Sequence, residues 1–219
     1  MFKGFDPTTA LAAFALTCLL LWLLQPVATR LDLLDHPKGR KDHAHPTPIT
    51  GGLAMALSSL LAFAVMPNMT SSLQAFGIAS VIVVALGLWD DKRDLRWYWR
   101  ILGQAAAALV IIYAGGVRVE QLGPLFGFGE TSLGFLSVPF TVFATIGIIN
   151  AMNMIDGADG MAGLLGLAAL AMLCAASVYA GNTALAERVS VLAAALAGFL
   201  LWNVRFPWRP RAKVFLGNA

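Results

Sequence analysis

Long apolar blocks separated by short polar stretches set the pattern of this chain. A bilayer's hydrocarbon core takes a helix of about 20 residues to cross. On that measure the blocks fall at roughly 9–28, 49–66, 73–89, 101–117, 135–152, 161–180 and 188–204. They are predicted helices, because in lipid only a helix or a closed barrel satisfies every backbone polar group. The stretch 118–134 breaks the series: it alternates weakly, is rich in glycine, and predicts a short β-hairpin on the outer side. Gly163 and Gly166 in the sixth block are predicted to let neighbouring helices approach closely.

Composition strengthens this picture. The 219 residues are 58% hydrophobic and only 12% charged, about half the charged share of an ordinary soluble domain. The expected fold class is an all-α polytopic membrane protein of about seven transmembrane helices, forming one membrane-embedded domain. Lys3 followed by the run Ala10–Leu24 has the look of a leader peptide, but the many spans behind it favour a retained first helix. Cys18 and Cys174 both lie inside apolar runs with no metal-ligand spacing.

Charge then orients the chain. The net charge is +3, and it reflects loops, so no nucleic-acid partner is expected. Arg30, Lys38, Arg40 and Lys41 fall in loop 29–48; Lys92, Arg93, Arg96 and Arg100 in loop 90–100; Arg205, Arg209, Arg211 and Lys213 in the tail. The other side has Lys3, Arg118 and Arg188. Basic residues mark the cytoplasmic side, so loops near 29–48, 90–100, 153–160 and 205–219 are expected there, with the N-terminus outside. Trp89, Trp97, Tyr98, Trp99, Trp202 and Trp208 flank the same span ends, as an interfacial aromatic belt does.

Three polar stretches on that face can carry chemistry. The first runs from Asp35 to Gly52, with basic residues, all three histidines and a Pro/Thr/Gly turn at the start of the second span. Basic side chains and free N–H groups at a helix start suit a phosphate; a loop that only fixes topology is the competing reading. Zinc is not expected, since no cysteine or closed ligand set accompanies the histidines. The second is Asp90-Asp91-Lys92-Arg93-Asp94, whose carboxylates would share one helix side. Adjacent carboxylates repel unless a cation or proton sits between them, and Mg²⁺ takes one or two carboxylates plus phosphate oxygens; a solvated charge cluster is the alternative. The third is Asn150, Asn153, Asp156 and Asp159, spaced by three, with Gly157 and Gly160 allowing a turn. Steps of three drift about 60° around a helix, so the four sweep one broad stripe; ordinary turns with capping asparagines are the alternative.

Acidic and basic ligands on one membrane face are the equipment for transferring a phosphate-bearing group. A transporter or other non-catalytic membrane protein is the rival class. It would place isolated ionisable groups near mid-span, whereas here the polar residues gather at span ends.

These motifs resemble those of the polyprenyl-phosphate N-acetylhexosamine-1-phosphate transferases, and most closely their WecA-like branch, related to MraY. The resemblance rests on the loop from Arg40-Lys41 to Gly52, on Asp90-Asp91, on Asn150-x-x-Asn153-x-x-Asp156-Gly157-x-Asp159-Gly160, and on Lys213-Val-Phe-Leu-Gly217. It implies a bacterial inner-membrane enzyme with its active site on the cytoplasmic face and its N-terminus in the periplasm. Such an enzyme passes a sugar-1-phosphate, GlcNAc-1-phosphate first among the candidates, from a UDP-N-acetylhexosamine to undecaprenyl phosphate. It releases UMP, uses Mg²⁺ or Mn²⁺, starts lipid-linked envelope polysaccharides such as O-antigen, and admits a homodimer.

The resemblance further implies catalytic roles for Asp90, Asp91, Asp156 and Asp159, with Asp90 as base. It implies phosphate and substrate contacts from Lys41, Thr47, Asn150 and Asn153. A metal would be held by Asp91, Asn153, Asp156 and Asn218. The family carries aspartate where this chain has Asn218, so weaker metal binding is expected. The family also has ten or eleven spans and a later His-rich cytoplasmic loop, neither found before Ala219. The chain is therefore expected to be the N-terminal portion of such an enzyme, with little transferase activity by itself. Asn153-Met-Ile-Asp156 stands where the MraY branch has Asn-Leu-Thr-Asp, which speaks against a MurNAc-pentapeptide donor.

Overall fold

The computed structural model describes residues 6–35, 46–67, 69–124, 127, 129–156, 160–207 and 211–218. Seven α-helices are found among these: α1 Thr8–Leu31, α2 Gly51–Val65, α3 Ser71–Arg93, α4 Trp97–Tyr113, α5 Ser137–Ile155, α6 Met161–Tyr179 and α7 Thr183–Asn203. Each predicted span corresponds to one helix. The all-α membrane fold stands, with α1, α3, α5, α6 and α7 long and apolar enough to cross a bilayer. At 15 and 17 residues, α2 and α4 are shorter, about 22 and 26 Å at 1.5 Å per residue, against a core of about 30 Å.

Two strands were not expected. β1, Leu34–Asp35, pairs antiparallel with β2, Thr47–Pro48, and so fixes the chain just before α2. The expected hairpin near 118–134 is reduced to one antiparallel bridge between Gln121 and Ser132, flanked by the Leu122-to-Thr131 and Leu133-to-Glu120 backbone hydrogen bonds.

Packing relies on small residues. Ala10, Ala13, Ala62, Phe63, Leu73 and Val191 form one buried cluster of α1, α2, α3 and α7. Leu21, Ala54, Phe199, Leu200 and Val214 form another nearer the polar end. In lipid the driving force for association is close packing rather than the hydrophobic effect, and the glycines show how close. A Cβ at Gly198 would lie 3.0 Å from the Phe14 carbonyl oxygen, and one at Gly163 would lie 2.6 Å from Leu200 Cδ2. Large apolar side chains instead point outward: Phe143 is 77% and Met172 74% exposed, as lipid-facing surface requires.

Successive helices reverse direction. The carboxyl ends of α1, α3, α5 and α7 and the amino ends of α2, α4 and α6 are joined by hydrogen bonds at one end of the bundle. At the other end, the Asp6 N–H donates to Glu187 Oε1 at 3.0 Å. The polar end is where the candidate chemistry collects.

Candidate functional site

The end of α3 separates the two neighbouring carboxylates. Consecutive residues on a helix point about 100° apart, so Asp90 turns inward and Asp91 outward. Asp90 is 5% exposed. Its Oδ1 accepts the Leu95 N–H at 2.9 Å and its Oδ2 meets Arg100 Nη1 at 3.3 Å. Asp94 does not share a helix face with them. It caps α3 in the left-handed conformation, φ 49°, so the expected three-carboxylate side is a pair that diverges.

Asp91 faces the C-terminal segment. Its two carboxylate oxygens share the Asn218 N–H, each at 3.1 Å. Gly217 makes that approach possible: its φ is +79°, and a Cβ there would sit 2.9 Å from Asp91 Oδ2. A glycine takes such a φ without the cost other residues incur.

On α5 the three-residue spacing distributes its polar side chains among different neighbours. Asn150 Nδ2 donates to Gln104 Oε1 at 2.7 Å and to the Ile146 carbonyl at 2.8 Å, which turns it toward α4. Asn153, rotated one step on, donates from Nδ2 to Asn218 Oδ1 at 2.7 Å. Asp156 closes the helix as its C-cap and is half-buried. Asp159 and Gly157 lie outside the described residues, as do Lys41 and the three histidines. Gly160, at φ +81°, starts α6.

The residues 213–217 lie along the start of α2. Phe215 N–H donates to the Pro48 carbonyl at 2.8 Å; Gly51 N–H donates to the Phe215 carbonyl at 3.0 Å, and Gly52 N–H to the Leu216 carbonyl at 2.9 Å. The first N–H groups of α2, expected to be free for a phosphate, are therefore taken by this chain's own backbone. Thr47, on β2, is 8% exposed. Gly51 leaves no space for a side chain, since a Cβ would be 2.4 Å from the Phe199 ring.

Asn203 ties the remaining pieces together. It is 3% exposed; its Oδ1 accepts the Gly160 N–H at 2.7 Å, and its Nδ2 donates to the Val214 carbonyl at 3.0 Å. One amide thus links the amino end of α6 to the C-terminal segment. Neither Asn203 nor Gln104 belongs to a motif singled out in the sequence. Their signal was available: each is an uncharged amide inside an apolar run, and such residues bond across helices in membranes.

Asp91, Asn153 and Asn218, from α3, α5 and the C-terminal segment, meet in one cluster open to solvent. Among the described residues no three His, Cys, Asp or Glu side chains gather. A cation here would draw on one carboxylate and amide oxygens, with the rest of its shell from phosphate and water. That hard oxygen set fits Mg²⁺ or Mn²⁺ and does not fit zinc.

Residues 73–219 match the family described as glycosyl transferase family 4. Among curated proteins the chain is similar to the undecaprenyl-phosphate alpha-N-acetylglucosaminyl 1-phosphate transferase of Haemophilus influenzae, 31% identical over 96% of this chain and 58% of that protein. The protein of the same name from Escherichia coli K12 is 30% identical over 97% of this chain and 58% of its own length. That from Yersinia pestis is 28% identical over the same shares. The chain thus spans less than two thirds of these relatives.

Proposed function

The chain belongs to glycosyl transferase family 4, and from that premise we propose that the full-length protein transfers GlcNAc-1-phosphate from UDP-GlcNAc to undecaprenyl phosphate. The observation that carries the reading is the meeting of Asp91, Asn153 and Asn218 at the polar end of the bundle, 127 residues apart at the extremes. The names of the relatives support undecaprenyl phosphate as acceptor and N-acetylglucosaminyl 1-phosphate as the transferred group. The positive-inside asymmetry supports a cytoplasmic site, where nucleotide sugars are made.

In the proposed reaction an oxygen of the lipid phosphate attacks the β-phosphorus of the UDP-sugar. The bond from that phosphorus to the α–β bridging oxygen breaks, and UMP leaves with that oxygen. A phosphate monoester has a second pKa of about 6, so near neutral pH the acceptor is already largely dianionic and needs little help from a base. Asp90 is 5% exposed with its oxygens held by Leu95 and the Arg100 guanidinium, whereas Asp91 is half-buried and its two oxygens share one N–H, that of Asn218. We therefore give the carboxylate that faces the substrates to Asp91, with Asp90 holding the turn beneath it.

Asp91, Asn153, Asn218 and Asp156 are the residues we propose to hold Mg²⁺ or Mn²⁺. When bound, a divalent cation neutralises charge on the diphosphate oxygens. Asp91 accepts the Asn218 backbone N–H and Asn153 donates to the Asn218 amide oxygen, so the three side chains are held next to one another. The test is UMP release by the full-length protein from UDP-GlcNAc, with undecaprenyl phosphate and Mg²⁺. UMP should appear only when acceptor and metal are both present. Absence of lipid-linked sugar under those conditions, with the protein folded and bilayer-embedded, would sink the reading.

A further inference from the structure

Helix α4 gives no side chain to the Asp91–Asn153–Asn218 cluster, yet it holds a residue close to each helical member. Arg100 bonds Asp90, which directly precedes Asp91. Gln104 bonds Asn150, three residues before Asn153. Arg100 and Gln104 are four residues apart, so they lie on one face of α4, one turn from each other. Both of their partners are at the same end of the bundle. Helix α5 also packs chiefly on α4 and only lightly on α6, so α4 is its principal support near the cluster.

We infer that Arg100 and Gln104 form a strap through α4 that sets the distance between Asp91 and Asn153. They are positioning residues for the cluster, and their catalytic consequence rests on the transferase reading above. The geometry argues against a purely stabilising role for Gln104. Neutral hydrogen bonds between helices in membranes contribute little to stability on average, and Asn150 has a second acceptor in the Ile146 carbonyl. What changes is the lateral tie between α4 and α5. Residues that orient a metal site from behind typically carry about 10- to 100-fold in metal affinity or activity.

The test uses the full-length protein with its native cysteines, Cys18 and Cys174 among them, replaced by alanine and spin labels at Arg93→Cys and Met154→Cys, two exposed positions at the ends of α3 and α5. Gln104→Met, which keeps the volume and removes the acceptor oxygen, should broaden the distance distribution between the labels. In the unlabelled protein it should raise the Mg²⁺ concentration for half-maximal transfer about 10-fold. Asn150→Ala should do the same, and the double variant should be no worse than either alone, since both break one bond. Asn150→Ala is read by itself if Gln104→Met does not fold. An unchanged distance distribution in a folded variant, or a double variant whose defects multiply, overturns the strap. A broadened distribution with unchanged transfer upholds the strap and removes the cluster from the reaction.

Discussion

Replacing Asp91 by asparagine in the full-length protein should lower metal-dependent sugar-phosphate transfer about 10³-fold while the fold persists. The exchange isolates charge from shape. The substituted amide would still offer one oxygen to the Asn218 N–H, which Asp91 now meets at 3.1 Å from each carboxylate oxygen, so the C-terminal segment stays docked. What disappears is one of the two carboxylate charges proposed to hold the metal, since Asn153 and Asn218 are neutral and Asp156 alone remains. A divalent cation held by these residues would supply several kcal/mol of charge stabilisation. Losing about 4 kcal/mol of it lowers turnover about 10³-fold at 1.36 kcal/mol per tenfold. The measurement is UMP release across a Mg²⁺ titration, with thermal unfolding as the control. Turnover close to the parent's would take Asp91 out of the proposed mechanism.

Asn203→Leu acts on stability instead. Leucine branches at the same carbon and is larger, so the buried site stays filled at some cost in overpacking, but both hydrogen bonds go. The Gly160 N–H and the Val214 carbonyl, both in buried residues, then have no partner from this side chain. An unsatisfied buried polar group costs about 1–3 kcal/mol, which makes the expected loss about 2–6 kcal/mol for the pair. The damage should be local first. Amide exchange at Gly51, Gly52 and Phe215 should accelerate before the helices melt, because those N–H groups depend on the docked segment. Exchange at these amides as slow as in the parent would show that the segment is held without Asn203.

The helices were legible in the sequence because lipid imposes a simple rule: a long apolar run must satisfy its own backbone. Their limits were less so. Helix α7 begins at Thr183, five residues before the apolar run, because the Asn182 side chain accepts the Leu185 N–H and caps it. Helix α4 begins at Trp97, ahead of its apolar run, with Arg96 extended before it. The β1–β2 pair was invisible, since two-residue strands have no periodicity to read.

For the site, composition pointed to Asp90, Asp91 and the asparagine motif as a group, but it could not say which way each faced. Two adjacent aspartates look alike in a sequence; a rotation of about 100° buries one against Arg100 and opens the other. Likewise Asn150 and Asn153 belong to one motif, yet one serves the α4–α5 contact and the other the cluster. The start of α2 looked like an anion site for want of any local partner. The partner, Phe215 and Leu216, lies more than 160 residues away in the sequence, and only the fold reveals it.

That distant pairing also has a consequence for biosynthesis. Helix α2 leaves the ribosome long before residues 213–218 exist, so in the meantime its amino end must find hydrogen bonds in headgroup water. Only when that segment emerges can it displace the water and bring Asn218 beside Asp91. The nascent chain can therefore insert its helices correctly and still lack an assembled cluster. Variants of Gly51 or Gly217, both packed tightly at this junction, would then yield protein that reaches the membrane in normal amounts but never matures.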